Sequence, residues 1–210
     1  MQIPPEHSPN WSRQEWDLIN VTELFKCKPA IMKKAERFLE ELRSALAEEL
    51  VHHSGPFPAE TDLAKGQIAR GENHKGFPFL SLDLPQKFSK TEFFTFRTLF
   101  WWGHYLGFSL ILKGPELDNW VRPLKERRGQ PEGNGVFISR HANPWEWEFN
   151  GENFVRVSEL SPQDIESLAD SLQYVKLMRV FPLCDQTFLQ LDWKEAGLQT
   201  FRDLMQCVLK

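Results

Sequence analysis

The chain has 210 residues, of which 41% are hydrophobic and 26% charged, and its formal net charge is −4 at pH 7. This composition is typical of a globular protein, and a chain of this length buries about 70% of its unfolded surface, enough for one large core. No stretch approaches the roughly 20 apolar residues that cross a bilayer, so we expect no membrane partner. The mild negative charge disfavours nucleic acid as a partner. The first residues lack the pattern of a secretory signal, which predicts a cytoplasmic location.

The N-terminal residues predict a surface arm that leads into a long helix. The arm is rich in prolines and polar residues and is predicted to contain a short helix at 12–19. Pro29 suits the first position of a helix, where its missing N–H costs nothing. Apolar residues then recur at spacings of three and four, which predicts an amphipathic helix over 29–53. We therefore divide the chain into an N-terminal arm, 1–28, and a single domain, 29–210.

The most informative stretch, 92–112, consists of two apolar runs hinged at Gly103 and predicts a β-hairpin that is apolar on both faces. A sheet with such strands cannot be left open to water on either side. A two-residue turn at Gly103 and His104 would place Trp102 opposite Tyr105. One predicted face carries Phe94, Phe96, Phe100, Trp102, Tyr105 and Ile111. The other carries Phe93, Leu99, Trp101, Leu106, Phe108, Leu110 and Leu112, with Arg97 among them, and the predicted core includes Phe96, Leu99, Phe108 and Leu110.

Other patterns complete the predicted fold. Residues 54–76 are predicted as loops, and 77–84 as a strand that Pro78 restricts to a sheet edge or to a strand start. The remaining predicted elements are a helix over 116–128, a strand over 136–139, a hairpin of 145–149 with 154–157, a strand over 174–181, and helices capped by Ser161 and Asp192. Adjacent strands with separate helices predict the α+β class, a single domain whose antiparallel sheet of five to seven strands packs with helices.

The succession of the Pro29 helix, the hairpin FRTLFWWGHYLGFSLILKGP and the segment LADSLQYVKLMRVFPL resembles the small bacterial family typified by the YktB protein. The resemblance covers roughly residues 25–209 and lies in the element order and the apolar pattern, without a short motif. It implies an α+β sheet fold, and it brings neither an established activity nor any functional residue.

The cysteine and histidine patterns predict no metal site and no disulfide. Cys27, Cys184 and Cys207 are odd in number and far apart, which agrees with a reducing compartment. The six histidines lack the i, i+4 spacing of a helical zinc motif. The chain has no G-x-S-x-G motif and no glycine-rich phosphate loop. We therefore expect no catalytic set, no cofactor, and folding that needs neither metal nor disulfide.

Arg97 is the strongest candidate for a functional side chain. On a predicted face made of Leu99, Phe108 and Leu110, its guanidinium must find an anion or reach solvent. The structural alternatives are an internal ion pair, which we favour, and a side chain that extends to water at the sheet rim. The functional alternative is a carboxylate or phosphate ligand held by two hydrogen bonds in an aromatic cleft.

The polar segment 140–144 leaves a predicted strand, at a place where loops often carry site residues. Arg140 and His141 are candidates within it, and Trp145 would supply an aromatic wall. The structural alternative for this segment is a solvated turn. The candidate ligand-binding residues are Arg97, Arg140, His141 and Trp145.

The expected function is that of a non-enzymatic binding or interaction module. The alternative is an enzyme or carrier that binds a small anionic ligand in an aromatic cleft with arginines. The second face of the hairpin distinguishes the two hypotheses. Helices on both faces would argue against a binding pocket, whereas a cleft with a polar rim on a face without helices would favour one. The partners that remain open are a small anionic ligand and a second copy of the chain in a homodimer.

Overall fold

The protein is described here by a computed structural model, which covers residues 10–52, 55, 57–130 and 133–209. Its chain divides into two compact units, Met1–Arg37 and Phe38–Lys210. The described α-helices are α1 (Arg13–Ile19), α2 (Thr22–His52), α3 (Leu117–Arg127), α4 (Pro162–Leu172) and α5 (Trp193–Val208). The described strands are β1 (Gln67–His74), β2 (Phe77–Phe88), β3 (Phe93–Trp101), β4 (Tyr105–Lys113), β5 (Phe137–Ser139), β6 (Phe154–Arg156) and β7 (Val175–Pro182).

The first unit contains α1 and the beginning of α2. Ser12 and Glu15 cap α1 reciprocally: Ser12 Oγ accepts from the Glu15 N–H at 3.2 Å, and the Glu15 carboxylate accepts from the Ser12 N–H at 2.7 Å. This confirms the short helix predicted at 12–19. The predicted start of the next helix at Pro29 is wrong, because α2 begins at Thr22 and contains Pro29 in its interior. The helix continues through the proline without the bond that an N–H would donate one turn back.

The C-terminal end of α2 at His52 agrees with the prediction, and His53 lies outside the described residues. The helices capped by Ser161 and Asp192 are confirmed as α4 and α5. The helix predicted over 116–128 is confirmed as α3, which continues through Pro123.

Seven strands form one antiparallel sheet in the order β1-β2-β3-β4-β7-β5-β6, which confirms the α+β class. β1 lies in the stretch predicted as loops, and it makes β2 an interior strand. Of the two positions predicted for Pro78, the sheet edge is therefore wrong and the strand start is confirmed, because β2 begins at Phe77. The missing N–H of Pro78 is tolerated because this residue lies opposite a register shift between Gly71 and His74. Its carbonyl accepts from the Trp102 N–H at 3.1 Å.

β3 and β4 form the predicted hairpin with a different turn. Trp101, not Trp102, lies opposite Tyr105, so the connection has three residues, and Gly103 adopts a φ of +77° within it. The register therefore differs by one from the prediction, and this transfers every β4 side chain to the other face relative to β3. The predicted composition of the two faces is wrong for this reason. Phe96 lies opposite Leu110.

The face that carries Phe96 packs against helices. The Phe96 and Phe201 rings lie 5.3 Å apart, and the Phe94 and Trp120 rings lie 5.7 Å apart. Gly197 allows α5 to approach closely, because a Cβ there would lie 2.6 Å from a Leu42 methyl carbon. The predicted core is confirmed, since four of its members are buried: Phe96, Leu99, Phe108 and Leu110.

The opposite face packs against residues 143–149, here called the strap, which has no regular secondary structure. The hairpin predicted from 145–149 and 154–157 is wrong, because β6 pairs with β5 instead. Glu146 Oε1 accepts from the N–H groups of Trp147 at 2.9 Å and Glu148 at 2.8 Å, which occupies the donors that a strand ladder would use. A second core lies under the strap and consists of Leu99, Trp101, Tyr105, Trp147, Phe154 and Met178.

Candidate functional site

Arg97 lies on the strap-covered face of β3, directly opposite Asp83 of β2. Its Nε and Nη2 donate to Asp83 Oδ1 and Oδ2, each at 2.8 Å. Thr95 Oγ1 donates to the same Oδ1 at 2.8 Å. The side chains of Arg97 and Asp83 are only 17% and 6% exposed. The internal ion pair expected for Arg97 is therefore confirmed, with Asp83 as the anion.

Trp145 of the strap lies over this pair. The guanidinium carbon of Arg97 is 4.7 Å from the centre of the Trp145 ring, a distance typical of a cation–π contact. The same ring lies 5.4 Å from Phe93 and 6.0 Å from Phe88. Arg97 and Trp145 are thus two of the predicted site residues that the fold brings together.

Arg140 and His141 lie in the turn that precedes the strap. The Arg140 guanidinium donates to the Gly151 carbonyl, and the Asn143 N–H donates to His141 Nδ1 at 3.0 Å. The His141 carbonyl accepts from the Tyr174 hydroxyl. His141 therefore bonds within this turn, whereas Arg140 bonds to residues that follow the strap. Of the four candidates, Arg97 and Trp145 meet at the Asp83 pair.

Lys176 of β7 is a buried cation on the strap-covered face that the sequence analysis missed. The residue is 3% exposed, and its Nζ donates to the Glu146 carbonyl at 2.7 Å. Burial, followed by the nearby charge of Arg97, lowers the pKa of Lys176 to about 7. The alternation in YVKLMRVF contains the signal, because a strand places Lys176 on the same side as Met178 and Val180.

Polar side chains from the sheet hold the strap. Lys75 Nζ donates to Glu146 Oε1 and Glu148 Oε2, each at 2.8 Å. Burial raises the pKa of Glu146, but its bonds with Lys75 and with backbone N–H groups outweigh this effect and lower the pKa to about 2. The Tyr105 hydroxyl donates to the Trp147 carbonyl at 2.5 Å, and burial raises the pKa of Tyr105.

Two histidines border the core under the strap. The His104 ring lies 3.6 Å from the Trp101 ring in a stacked arrangement, and the His74 ring lies 3.9 Å from the Trp147 ring. Burial lowers the pKa of both imidazoles. Their Nε2 atoms are buried and have no hydrogen-bond partner among the described residues. Within the described residues, no cluster of three or more His, Cys, Asp or Glu side chains is arranged to hold a metal ion.

A cavity of about 560 Å³ lies away from these residues. Its lining includes Phe57, Trp120 and Val208 and none of the four predicted ligand-binding residues. The predicted aromatic cleft is therefore not this cavity.

A different feature, exposed apolar surface, dominates the first unit. Of the twelve large apolar side chains exposed in the described chain, eight lie within residues 10–37 and are here called the N-terminal surface. They are Trp11, Trp16, Leu18, Ile19, Val21, Leu24, Phe25 and Ile31. Their exposed fractions range from 42% at Ile31 to 75% at Trp11. None of the described helices is long and apolar enough to cross a membrane.

The charges around the N-terminal surface form two blocks of opposite sign. Residues 12–23 carry a net charge of −2 and residues 26–37 a net charge of +4. Exposed ion pairs join Arg13 to Asp17 at 3.1 Å and Lys26 to Glu23 at 2.7 Å. Exposed pairs of this kind stabilise a helix by only about 0.3–0.5 kcal/mol, so their members exchange partners at little cost.

Comparisons of the chain with known protein families, with curated proteins and with solved structures found no match. The functional interpretation therefore depends on the geometry of the chain's own residues.

Proposed function

We propose that the chain is a non-enzymatic interaction module that docks another protein chain on the N-terminal surface. The observation that carries this proposal is the exposure of eight large apolar side chains within residues 10–37. Soluble monomers rarely expose contiguous apolar patches larger than a few hundred Å². Each Å² of apolar surface removed from water contributes about 25 cal/mol, so covering these side chains supplies the driving force for docking.

The module works in the cytoplasm in this proposal. Exposed thiols support that location: Cys27 and Cys184 are exposed and form no disulfide. Exposed thiols persist in reducing compartments, whereas oxidising ones favour disulfides. The resemblance to the YktB-like family stays a prediction, and it adds no activity to this proposal.

The interior of the sheet supports binding at the surface rather than under the strap. The Arg97 guanidinium uses two of its donors on Asp83, and Trp145 covers its face. Lys176 donates to the Glu146 carbonyl. A small anion would have to displace these internal partners, and breaking a buried pair costs several kcal/mol, about 3–5.

Hydroxyl-radical footprinting of the full chain tests the proposed docking. Oxidation of Trp16 and Phe25 is measured in dilute purified protein and in an extract of the cells that express it. Leu189 is the matched control, because it is 86% exposed and lies outside the N-terminal surface. We expect several-fold slower oxidation of Trp16 and Phe25 in the extract, with Leu189 unchanged.

Equal oxidation of Trp16 and Phe25 in the dilute protein, in the extract and in purified protein at about 100 μM would refute the proposal. A variant that carries Ile19→Ser and Phe25→Ser provides the second arm, because these exposed positions contribute little to folding. In this variant, Trp16 should be oxidised at the dilute-protein rate in the extract as well.

A second candidate function is an enzyme or carrier that binds a small anion under the strap. The observation that favours it is the burial of two basic side chains, Lys176 and Arg97, on the strap-covered face, where Arg97 is paired with the Asp83 carboxylate. A thermal-shift screen with small carboxylates and phosphates tests it, because a ligand of the folded state raises the melting temperature. A rise in the melting temperature of the wild type that the Lys176→Met variant lacks would support this candidate function. No rise with any compound would exclude binding of the small carboxylates and phosphates tested.

A further inference from the structure

The sequence around the N-terminal surface is complementary to itself when it is read in the antiparallel direction. We propose that the partner docked there is a second copy of this chain, paired through a two-fold axis near the peptide bond between Leu24 and Phe25. This inference rests on the proposed function, since it names the occupant of the same surface. A two-fold contact presents the same patch from both copies, so each residue must suit its symmetry mate.

Charged residues often occur at the same number of positions before and after this bond. Where both residues of such a pair are charged, their charges have opposite signs. The pairs are Arg13 with Glu36, Glu15 with Lys34, and Glu23 with Lys26. The mate of Asp17 is Met32, and the basic residue Lys33 is one position further along the chain. An antiparallel pair of chains therefore brings acidic side chains of one copy to basic side chains of the other.

Four of the eight exposed apolar residues show the same symmetry. Leu24 is the mate of Phe25, and Leu18 is the mate of Ile31, and all four side chains are exposed, by 43%, 67%, 48% and 42% respectively. Antiparallel pairing puts these apolar groups opposite apolar groups, and the Glu23–Lys26 charge pair lies between the two apolar pairs. Protein–protein interfaces combine apolar and polar contacts of this kind.

The net charges of the two blocks select the antiparallel direction and the kind of partner. Residues 12–23 carry −2 and residues 26–37 carry +4. An antiparallel dimer sets each acidic block against a basic block, whereas a parallel dimer sets like charges together and is disfavoured. A single-sign partner, such as an anionic surface, would match only the basic block. The second copy matches both blocks.

Cross-linking through Cys27 tests the position of the axis. Both Cys27 and the axis lie on α2, and Cys27 is exposed. The two Cys27 residues would lie five positions apart along the pair, about 7.5 Å at 1.5 Å per residue. With helix axes about 8–10 Å apart, their Cα atoms are about 12 Å from each other. A bismaleimide with a spacer of about 10 Å should link them.

The cross-linking variant carries Cys184→Ser, which removes the other exposed thiol, while Cys207 is buried. We expect covalent dimer from this variant at about 50 μM protein, within the micromolar affinity range of small interfaces. The matched control carries Cys27→Ser and retains Cys184, and it should remain monomeric on a denaturing gel. Equal cross-linking of the two variants, or none in either, would overturn the proposed axis.

Charge reversal with rescue tests the partner itself. One variant carries Asp17→Lys and Glu23→Lys, and the other carries Lys26→Glu and Lys33→Glu. Each variant alone sets like charges against each other and should sediment as a monomer at about 50 μM. An equimolar mixture restores every opposite-charge contact and should sediment as a dimer. Circular dichroism of each variant verifies that the helices are retained.

A wild type that is monomeric at about 100 μM, or a mixture that stays monomeric, would overturn the second copy as partner. The footprinting experiment distinguishes this failure from that of the proposed function. Protection of Trp16 by the extract, without protection on raising the concentration of the purified protein, would leave a docking surface with a different occupant. No protection in either would remove both.

Discussion

Asp83 and Arg97 illustrate how one residue pair is determined by neighbouring strands. The two side chains lie opposite each other on β2 and β3 and form two hydrogen bonds in a largely buried position. Removing one member of such a pair leaves the other as an uncompensated buried charge, which costs about 3–5 kcal/mol. Replacing both members by apolar residues of similar size costs much less and can even stabilise the fold.

We predict that Arg97→Met lowers the free energy of unfolding by several kcal/mol, about 3, because it leaves the Asp83 carboxylate buried alone. The double variant Asp83→Leu with Arg97→Met should recover a large part of this loss. Urea denaturation of both variants measures the difference. Arg156→Met is the control, because Arg156 is exposed and its described contacts are with Glu159 and the Phe137 ring. A loss at Arg97 no larger than this control would show that the guanidinium is compensated by solvent instead.

Lys176 gives the protein a distinctive dependence of stability on pH. The amine titrates near 10.5 in the unfolded chain, whereas burial and Arg97 lower its pKa in the fold to about 7. Between these two values the unfolded state binds more protons than the folded state. The free energy of unfolding therefore rises with pH in this window, with a slope of at most about 1.4 kcal/mol per pH unit from this one group.

We predict that the wild type gains about 2 kcal/mol relative to Lys176→Met between pH 7 and pH 9. Urea unfolding of both proteins at several pH values in this interval measures the change in their difference. Taking the difference cancels the titration of groups that the two proteins share. A difference that stays constant across the interval would show that Lys176 does not lose a proton there in the folded state.

At the scale of elements, the register of the β3–β4 hairpin determines which side chains form each core. Leu110 lies opposite Phe96 and is fully buried, on the face that packs against helices. We predict that Leu110→Ala lowers the free energy of unfolding by about 2–5 kcal/mol. Leu189→Ala is the control, since Leu189 is 86% exposed, and it should change stability by less than about 0.5 kcal/mol. Comparable effects of the two substitutions in denaturant would contradict the position assigned to Leu110.

Elements with local signals were predicted correctly. The caps at Ser161 and Asp192 locate the starts of α4 and α5, because a cap depends on a side chain and the N–H groups two or three residues further on. The alternation in 174–181 likewise predicted β7. These signals depend on residues that are close in sequence. They can therefore be recognised without knowledge of the fold.

The errors concern choices that depend on distant residues. A glycine such as Gly103 suits a two-residue turn and a three-residue turn equally, and only the pairing of whole strands selects between them. The sequence of 145–149 alternates like a strand, but the N–H groups of Trp147 and Glu148 bond to the Glu146 side chain. The carbonyls of Trp147 and Glu146 accept from Tyr105 and Lys176. No local sequence pattern indicates that Tyr105 and Lys176 bond to these carbonyls.

The candidate site likewise could be predicted only where it depends on residues that are close in sequence. That Arg97 needed an anion followed from its apolar neighbours, but the identity of Asp83 required the register of β2. Arg140 and His141 were grouped with Arg97 because they lie in a polar segment that leaves a predicted strand, where loops often carry site residues. In the fold, His141 bonds to Asn143 in the turn before the strap, and Arg140 bonds to Gly151 after it. Proximity in space is a property of the sheet order, which composition and periodicity do not specify.

At the scale of the whole molecule, apolar surface is distributed unequally between the two units. The unit Phe38–Lys210 covers one sheet face with helices and the other with the strap, and its described residues contribute four of the exposed large apolar side chains. The other eight lie in residues 10–37. The concentration of exposed apolar side chains in residues 10–37 supports the proposed association through this unit.

Association should make thermal stability depend on protein concentration. A dimer of folded chains binds the native state and not the unfolded one, so mass action stabilises it as the concentration rises. A forty-fold increase changes the free energy by about 2 kcal/mol per dimer, or about 1 per chain, which for a protein of this size raises the melting temperature by about 3 °C. Scanning calorimetry at about 5 μM and 200 μM measures the shift, and the Asp17→Lys, Glu23→Lys variant should show none because its charge blocks no longer complement each other. A wild-type melting temperature that is the same at both concentrations would mean that the native chain does not associate with itself in this range.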